Sequence, residues 1–196
     1  PMGKRIVVIG GGDTGSDCVG NANRQGAKSI TQIEIMPEPP LRRTEDEPWP
    51  LWPKLKKTSS SHEEGCERLW NIKTLEFIGE KGILKGIRTI KVKWEKDPSG
   101  NMIASDIPGT EEIIPADIVL LSMGFVHPEY DGPVYDFDLS LDNRGNIAID
   151  NNYMTSKKGV FSAGDSVRGA SLVVWAIHQG REAALHIDSY LSNGVI

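Results

Sequence analysis

The sequence predicts an α/β fold: a parallel sheet of Rossmann type carrying an antiparallel β-meander, followed by a second segment of different texture. Three observations carry this reading. Residues 4–35 run strand, glycine turn, helix, strand, the order and the rough length of about 30 residues that a βαβ unit needs. Residues 117–125, DIVLLSMGF, form a near-continuous apolar run, as a strand buried on both faces does. Between them lie strand-like stretches separated by Gly- and Pro-containing turns, the pattern of antiparallel pairing.

The elements follow in order. KRIVVI, 4–9, is a β-branched run that the glycines behind it interrupt. A helix is expected from Asp13 to Gln25, because Cys18, Val19 and Ala22 share one face and Gly26 stands where a helix C′ residue belongs. SITQIEI, 29–35, supplies the second strand, and the crossover between the two should be right-handed. Residues 36–61 form a long Pro- and Trp-rich connection, and a connection of that length is more often functional than idle. Ser60 with Glu63, and Ser61 with Glu64, make a capping-box pattern that predicts a helix running to about Trp70. TLEFIG, ILKGIRTIKVKWEKD and EEIIPA are the strands of the meander. From residue 126 the texture changes. LSLDNRGNIAID reads as a hairpin around Asn143–Gly145, and GVFSAGD as a strand ending in a glycine turn. Ser171–Leu191 reads as a helix with an apolar stripe at Val173, Ala176, Ile177, Gly180, Ala184, Ile187 and Leu191. The expected division is into domains 1–125 and 126–196.

Composition narrows the function. Of 196 residues, 38% are hydrophobic and 25% charged, with a net charge of −5. That mild acidity offers no basic face, so no nucleic-acid partner is expected. No apolar run approaches the roughly 20 residues of a membrane-spanning helix, so no membrane partner is expected either. Residues 1–30 lack the apolar core and small-residue cleavage site of a secretory leader. Cys18 and Cys66 are too few and too far apart for a redox CxxC, a zinc site or an iron–sulfur cluster. Free thiols in a reducing, cytoplasmic compartment are the expectation. The chain enters a core strand almost at once, which leads us to expect a longer parent chain.

Gly10-Gly11-Gly12-Asp13-Thr14-Gly15 fits GxGxxG directly after a strand and at the head of a helix. In a dinucleotide site Gly10 permits the tight turn, Gly12 lets a pyrophosphate approach the backbone, and Gly15 lets helix and strand pack closely. The helix head, from Asp13 and Thr14, then offers free N–H groups and positive dipole to the phosphates. The alternatives are a packing cluster of glycines, or the related glycine loop of methyltransferases. Glu34 lies 19 residues past Gly15, where an acid accepts from a ribose 2′-OH and favours NAD; a solvated strand-end carboxylate is the plain reading. Arg42 and Arg43 just beyond could instead reach a 2′-phosphate, as could Lys54, Lys56 and Lys57. These residues alone leave NAD against NADP open. His62-Glu63-Glu64 lacks a second histidine four residues on, so a helix cap is expected there rather than a metal site.

GVFSAGD, 159–165, resembles the second flavin-contact motif of the pyridine nucleotide-disulfide reductases. More narrowly, GGGDTGSDCVG, EIMPEPP, PWPLWP, TSSSHEEGCERLW, ADIVLLSMGFVHPE and SLVVWAIHQGREAA resemble, in order, the small (β) subunits of NADPH-dependent glutamate synthases. The resemblance implies an NAD(P)H-dependent oxidoreductase, with NADP(H) as nucleotide and Arg42 and Arg43 as its 2′-phosphate partners. It implies that Gly164 and Asp165 face the flavin of a bound FAD, and that the helix head at Ser171, Leu172 and Val173 points at the isoalloxazine. There the helix dipole would stabilise charge on the reduced ring. Gly124 joins the same cofactor-binding set. Hydride passes from nicotinamide to flavin by proximity and stacking, with no catalytic acid or base in this chain.

In such subunits a cysteine-bearing iron–sulfur domain and a first GxGxxG for the ADP half of FAD come earlier, and neither occurs in these 196 residues. The expectation is therefore a nucleotide domain followed by the C-terminal half of an FAD domain, with FAD bound weakly or not at all and the isolated chain inactive. Electrons would leave through the iron–sulfur clusters to a glutamate synthase large subunit, which makes glutamate from glutamine and 2-oxoglutarate, or to an equivalent acceptor. The rivals are a non-catalytic nucleotide-binding module and a paralogous flavoprotein reductase with another acceptor.

Overall fold

The computed structural model describes residues 2–45, 47–49 and 55–192, and it divides into a first unit ending at Met123 and a second beginning at Gly124. Lys54 and most of the PWPLWP motif lie outside the described residues.

The first unit opens with β1 (Arg5–Ile9), α1 (Asp13–Arg24) and β2 (Ser29–Ile33), with β1 and β2 parallel and in register Arg5 to Ser29. Gly26 ends α1 as its position predicts. It takes φ of +74° and donates to Asn23 O, while Ala27 donates to Ala22 O, the paired bonds of a Schellman cap.

The expected helix to Trp70 is corrected by the structure. α2 is a single turn, Ser60–Glu63, capped by Ser59 rather than by Ser60 or Ser61, with His62 in the reciprocal position. Gly65, at φ of +117°, turns the chain out of the helix. The chain then forms β3 (Glu67–Leu69), which pairs parallel to β2 from Thr31 opposite Glu67. A capping box does form, but with Ser59 and His62 in place of the expected pairs, and the open edge of β2 recruits the residues behind it.

β4 (Ile72–Glu80), β5 (Ile83–Lys96), β6 (Met102–Asp106) and β7 (Glu112–Pro115) make the antiparallel part, with β4, β6 and β7 all pairing to the long β5. The strand β6 was not expected. It returns from a turn in which Asp97 N donates to Asn101 O. β8 (Ile118–Leu121) completes the parallel sheet in the order β3-β2-β1-β8. It is shorter than the expected 117–125, and Met123 and Phe125 are exposed.

Alternation along β1 explains the layers. Ile6 and Val8 pack with Val19, Ala22 and Ile30 on the α1 face; Val7 packs with Ile33, Ile87 and Ala116 on the side of the antiparallel strands. Each such fully buried aliphatic side chain contributes about 1.5–3 kcal/mol. Arg5 donates to both oxygens of Asp117 at 2.8 and 3.1 Å, and its own N–H adds a third bond at 2.8 Å. These bonds hold the Asp117 carboxyl well below the usual carboxylate range and tie the start of β1 to the strand beside it.

The second unit contains the short helices α3 (Pro133–Asp136) and α4 (Asp165–Arg168), then α5 (Val173–Ser192). The expected hairpin is present: Leu141 bridges Ile147, and Gly145 donates to Asp142 O. GVFSAGD is not a full strand, since only Phe161 forms a bridge, to Met154. The predicted stripe of α5 is also corrected. Its most buried side is Ala176, Gln179, Ala183, His186, Ile187 and Tyr190, whereas Val173, Ile177, Ala184 and Leu191 face outward. A helix apolar on most sides has no unique stripe for periodicity to pick out. No described helix is long and apolar enough to cross a membrane.

Candidate functional site

The glycine turn joins the end of β1 to the head of α1, and its glycines are there for different reasons. Gly10 adopts φ of +120°, and a Cβ on it would lie 2.2 Å from Ser122 O. Gly15 would place a Cβ 2.2 Å from Gly10 O and 2.7 Å from Gln32 Nε2. The fold itself demands both. Gly12 is different. It sits in ordinary extended backbone, φ −80° and ψ −171°, and a Cβ there would meet nothing within 4 Å. Its free side opens into a cavity of about 710 Å³. Gly12 is also the N-cap of α1, with no side chain capping the helix, so the first-turn N–H groups face that space with the positive end of the dipole.

Around the cavity stand Asp13 and Ser16 from α1, Glu34 at the end of β2, and a strap formed by Met36, Pro37, Pro39, Leu55, Lys57, Thr58 and Ser59. His62 of α2 and Arg68 and Trp70 at β3 complete it. Glu34 is held in place: Oε2 accepts from Gly11 N at 2.6 Å and Oε1 from Met36 N at 3.1 Å. Arg68 donates to Lys57 O at 3.1 Å and lies 5.0 Å from the centre of the Trp70 ring. On the same ring the Lys56 ammonium sits 4.5 Å from the centroid, and it pairs with Glu38 at 2.5 Å. The site thus offers backbone N–H groups for an anion, a carboxylate for a hydroxyl pair, an apolar wall of Pro, Met and Trp, and a second cationic corner.

Of the sequence-predicted residues, the structure brings Gly12, Asp13 and Glu34 to the cavity, with Gly10 and Gly15 directly beneath. Thr14, Arg42 and Arg43 are not among its described lining; both arginines are exposed, and Arg43 donates to Glu47 O at 2.6 Å. Arg68 and Lys57 supply the cationic side instead. Arg68 was missed because residues 67–69 read as helix; the cue was Gly65 followed by the alternation Cys66, Arg68, Trp70.

The other predicted residues belong to the second unit. Gly124 takes φ of +85° at its start. Gly164 takes φ of +72° and donates to Gln179 Oε1 at 2.8 Å. Asp165 Oδ1 accepts from Ser171 N at 3.3 Å and from its hydroxyl at 3.5 Å, so the short turn before α5 is tied back to α4. Leu172 and Val173 are exposed at 68% and 73%.

With this geometry in view, the comparisons with known proteins are specific. Residues 1–180 match the family described as pyridine nucleotide-disulphide oxidoreductase. The chain is 45% identical to the "Glutamate synthase [NADPH] small chain" of Mycobacterium tuberculosis (strain ATCC 25618 / H37Rv), covering 96% of this chain and 38% of that protein. It is 43% identical to the "Glutamate synthase [NADH]" of Saccharomyces cerevisiae (strain ATCC 204508 / S288c), covering 98% of this chain and 9% of that one. The chain therefore spans well under half the length of these relatives. Among solved structures it resembles thioredoxin reductase of T. acidophilum, with a TM-score of 0.61, 26% identity, and coverage of 96% and 53% of the two chains. It also resembles Mycobacterium tuberculosis FprA in complex with NADPH, with a TM-score of 0.71, 16% identity, and coverage of 98% and 53%, a likeness of fold alone.

Proposed function

The chain belongs to the pyridine nucleotide-disulphide oxidoreductase family, and from that premise we propose that its first unit binds a pyridine nucleotide, NADPH in preference to NADH, as the electron-donor side of a glutamate-synthase-type flavoprotein. One observation carries the reading: Gly12 is a glycine that none of the described residues requires, placed on the wall of a cavity at an uncapped helix head. A pyrophosphate at that point explains the missing side chain.

On this reading Gly12 and the first-turn N–H groups of Asp13 and Thr14 hold the pyrophosphate. Gly10 and Gly15 fix the turn beneath them. Glu34 accepts from the 3′-OH of the adenosine ribose, the hydroxyl that the 2′-phosphate leaves free, and Trp70 with the proline wall flanks the adenine. Arg68 and Lys57 take the role first expected of Arg42 and Arg43, pairing with the 2′-phosphate by charge-assisted hydrogen bonds. Asp13 and Glu34 oppose the ligand's negative charge, so the two cations matter more than they would in a basic pocket.

The second unit is assigned the flavin-facing role. Gly164 turns the chain at positive φ just ahead of Asp165, and Ser171, Leu172 and Val173 leave the head of α5 uncovered. This arrangement fits one side of an FAD site. Bound there, FAD supplies a hydride acceptor; this chain's residues orient it and add the dipole of α5. As part of such a flavoprotein, the chain would pass electrons toward iron–sulfur clusters held elsewhere and a large subunit that forms glutamate.

A thermal-shift titration with NADPH, NADH, FAD and S-adenosylmethionine tests the assignment. NADPH raises the midpoint most, NADH less, and S-adenosylmethionine not at all. Stabilisation by S-adenosylmethionine without NADPH would replace this reading with a methyl-transfer one.

A further inference from the structure

Gln32 and His62 form a hydrogen-bonded chain behind the glycine turn whose proton positions can be assigned by elimination. Gln32 is 2% exposed, on the α1 face of β2. Its Nε2 donates to Gly10 O at 2.9 Å, an acceptor that fixes which way the amide is turned. Gln32 Oε1 therefore faces His62 Nε2, 2.9 Å away, and that nitrogen must carry a proton. His62 Nδ1 is then the acceptor for Ser59 N–H at 3.2 Å and for the Ser59 hydroxyl at 3.0 Å. The Ser59 oxygen in turn takes the Ser16 hydroxyl of α1 at 2.5 Å. With Nε2 protonated toward Gln32 and Nδ1 accepting from the Ser59 backbone N–H, the geometry calls for neutral imidazole.

The far end of this chain is the peptide between Gly10 and Gly11. A trans peptide is planar, and its carbonyl and N–H point in opposite directions. Holding Gly10 O inward, on Gln32 Nε2 at 2.9 Å and near Ser122 Oγ at 3.4 Å, aims Gly11 N–H outward. That N–H is the one now bonded to Glu34 at the cavity wall.

We propose that His62 is a positioning residue for nucleotide binding: through Gln32 it sets the orientation of the Gly10–Gly11 peptide, and through Ser59 it holds the strap against α1. This rests on the nucleotide reading of the cavity. A second proton at Nδ1 would point at the Ser59 backbone N–H, a donor that cannot turn away, and break that bond. Burial, and after it the nearby Arg68 charge, push the His62 imidazole below its ordinary range, in favour of the neutral form the geometry requires. The other charged groups lining the cavity are Lys57 of the strap, Asp13 of α1 and Glu34 of β2, and Glu63 and Glu64 follow His62 in sequence.

The test is NADPH affinity of the chain by calorimetry from pH 5 to 8, for wild type, His62→Ala, His62→Gln, Gln32→Met and the double variant His62→Ala/Gln32→Met, each with its unfolding midpoint. His62→Ala weakens binding about 5–10-fold at neutral pH, the worth of one buried hydrogen bond. His62→Gln, whose amide can donate from the Nε2 position, restores most of it. The double variant is no weaker than Gln32→Met alone, because the two act in series. Wild type loses affinity as pH falls below the histidine range, and His62→Gln loses only what the ligand's own titration takes. Unchanged affinity in His62→Ala, multiplying effects in the double variant, or equal pH profiles for wild type and His62→Gln would each overturn the positioning role while leaving the nucleotide site standing. A wild type that binds no NADPH would instead overturn the site reading, and this role with it.

Discussion

The glycine turns that lead into α1 and into α4 are built differently. At Gly10–Gly15 the turn feeds a twelve-residue helix in which Val19 and Ala22 are buried against β1 and β2, and Ser16 and Gly20 against the α2 segment. At Gly164 the turn feeds the four-residue α4, and beyond it α5 runs twenty residues with only Ala183 buried. The first turn leaves its helix head open over a cavity that the same unit lines; the second satisfies its glycine N–H with Gln179 and exposes Leu172, Val173 and Val174. A phosphate cradle needs a rigid floor and an open roof, and only the first turn has both within its own unit. Two glycine turns at helix heads thus differ in what surrounds them, and it is the neighbours that make one a floor beneath a cavity.

The sharpest way to break the comparison is through the floor. Gly10→Ala forces a side chain into positive φ and against Ser122 O, which should cost about 3 kcal/mol, the sum of left-handed strain and overpacking. Urea unfolding measures it. Gly12→Val, in extended backbone with open space around it, should lose stability only through poorer capping, under about 1 kcal/mol. It should nevertheless weaken NADPH roughly 100-fold, about 2.7 kcal/mol in binding. If Gly12→Val unfolds the protein as Gly10→Ala does, the division between floor and roof collapses.

Arg68→Ala should shrink the NADPH/NADH affinity ratio about tenfold, as loss of one charge-assisted bond does, whereas the pair Arg42→Ala and Arg43→Ala should leave it within about twofold. Comparing the two in one calorimetric series decides between the strand and the loop. The Arg5–Asp117 link makes a smaller, pH-confined contribution. Because the folded carboxyl titrates below its unfolded value, its stabilisation is complete above the ordinary carboxylate range and lost as pH falls beneath it. Asp117→Asn should therefore destabilise near neutrality and converge with wild type in acid, read from unfolding midpoints against pH. Smallest of all, Leu172→Ser at the head of α5 should change stability by no more than about 0.5 kcal/mol and leave NADPH affinity unaltered.

Much of the first unit was legible in the sequence, because its signals are local. β-branched runs, GxGxxG and Gly26 mark β1, α1 and β2 without reference to anything distant. The failures share a cause. β3 is three residues long and exists because β2 offers an edge, which no local window reveals. β6 was overlooked although Asp97-Pro98-Ser99-Gly100 signals a turn, since MIASD is short and only weakly apolar. Arg42 and Arg43 are attractive for sitting close behind β2, but neither is among the described residues lining the cavity, while pairing of β3 delivers Arg68. His62 was read as a cap, and it is one; its second contact, to Gln32, joins residues 30 apart and depends on the strap closing over α1.

The central claim is that main-chain N–H groups at the head of α1 hold the pyrophosphate. It is tested most directly by titrating NADP⁺ into isotopically labelled protein and following each backbone amide by NMR. The account predicts that Gly12, Asp13 and Thr14 show the largest amide shifts and gain protection from exchange, with Arg68 and Lys57 responding next. Saturable NADP⁺ binding that leaves those three amides unmoved would contradict it.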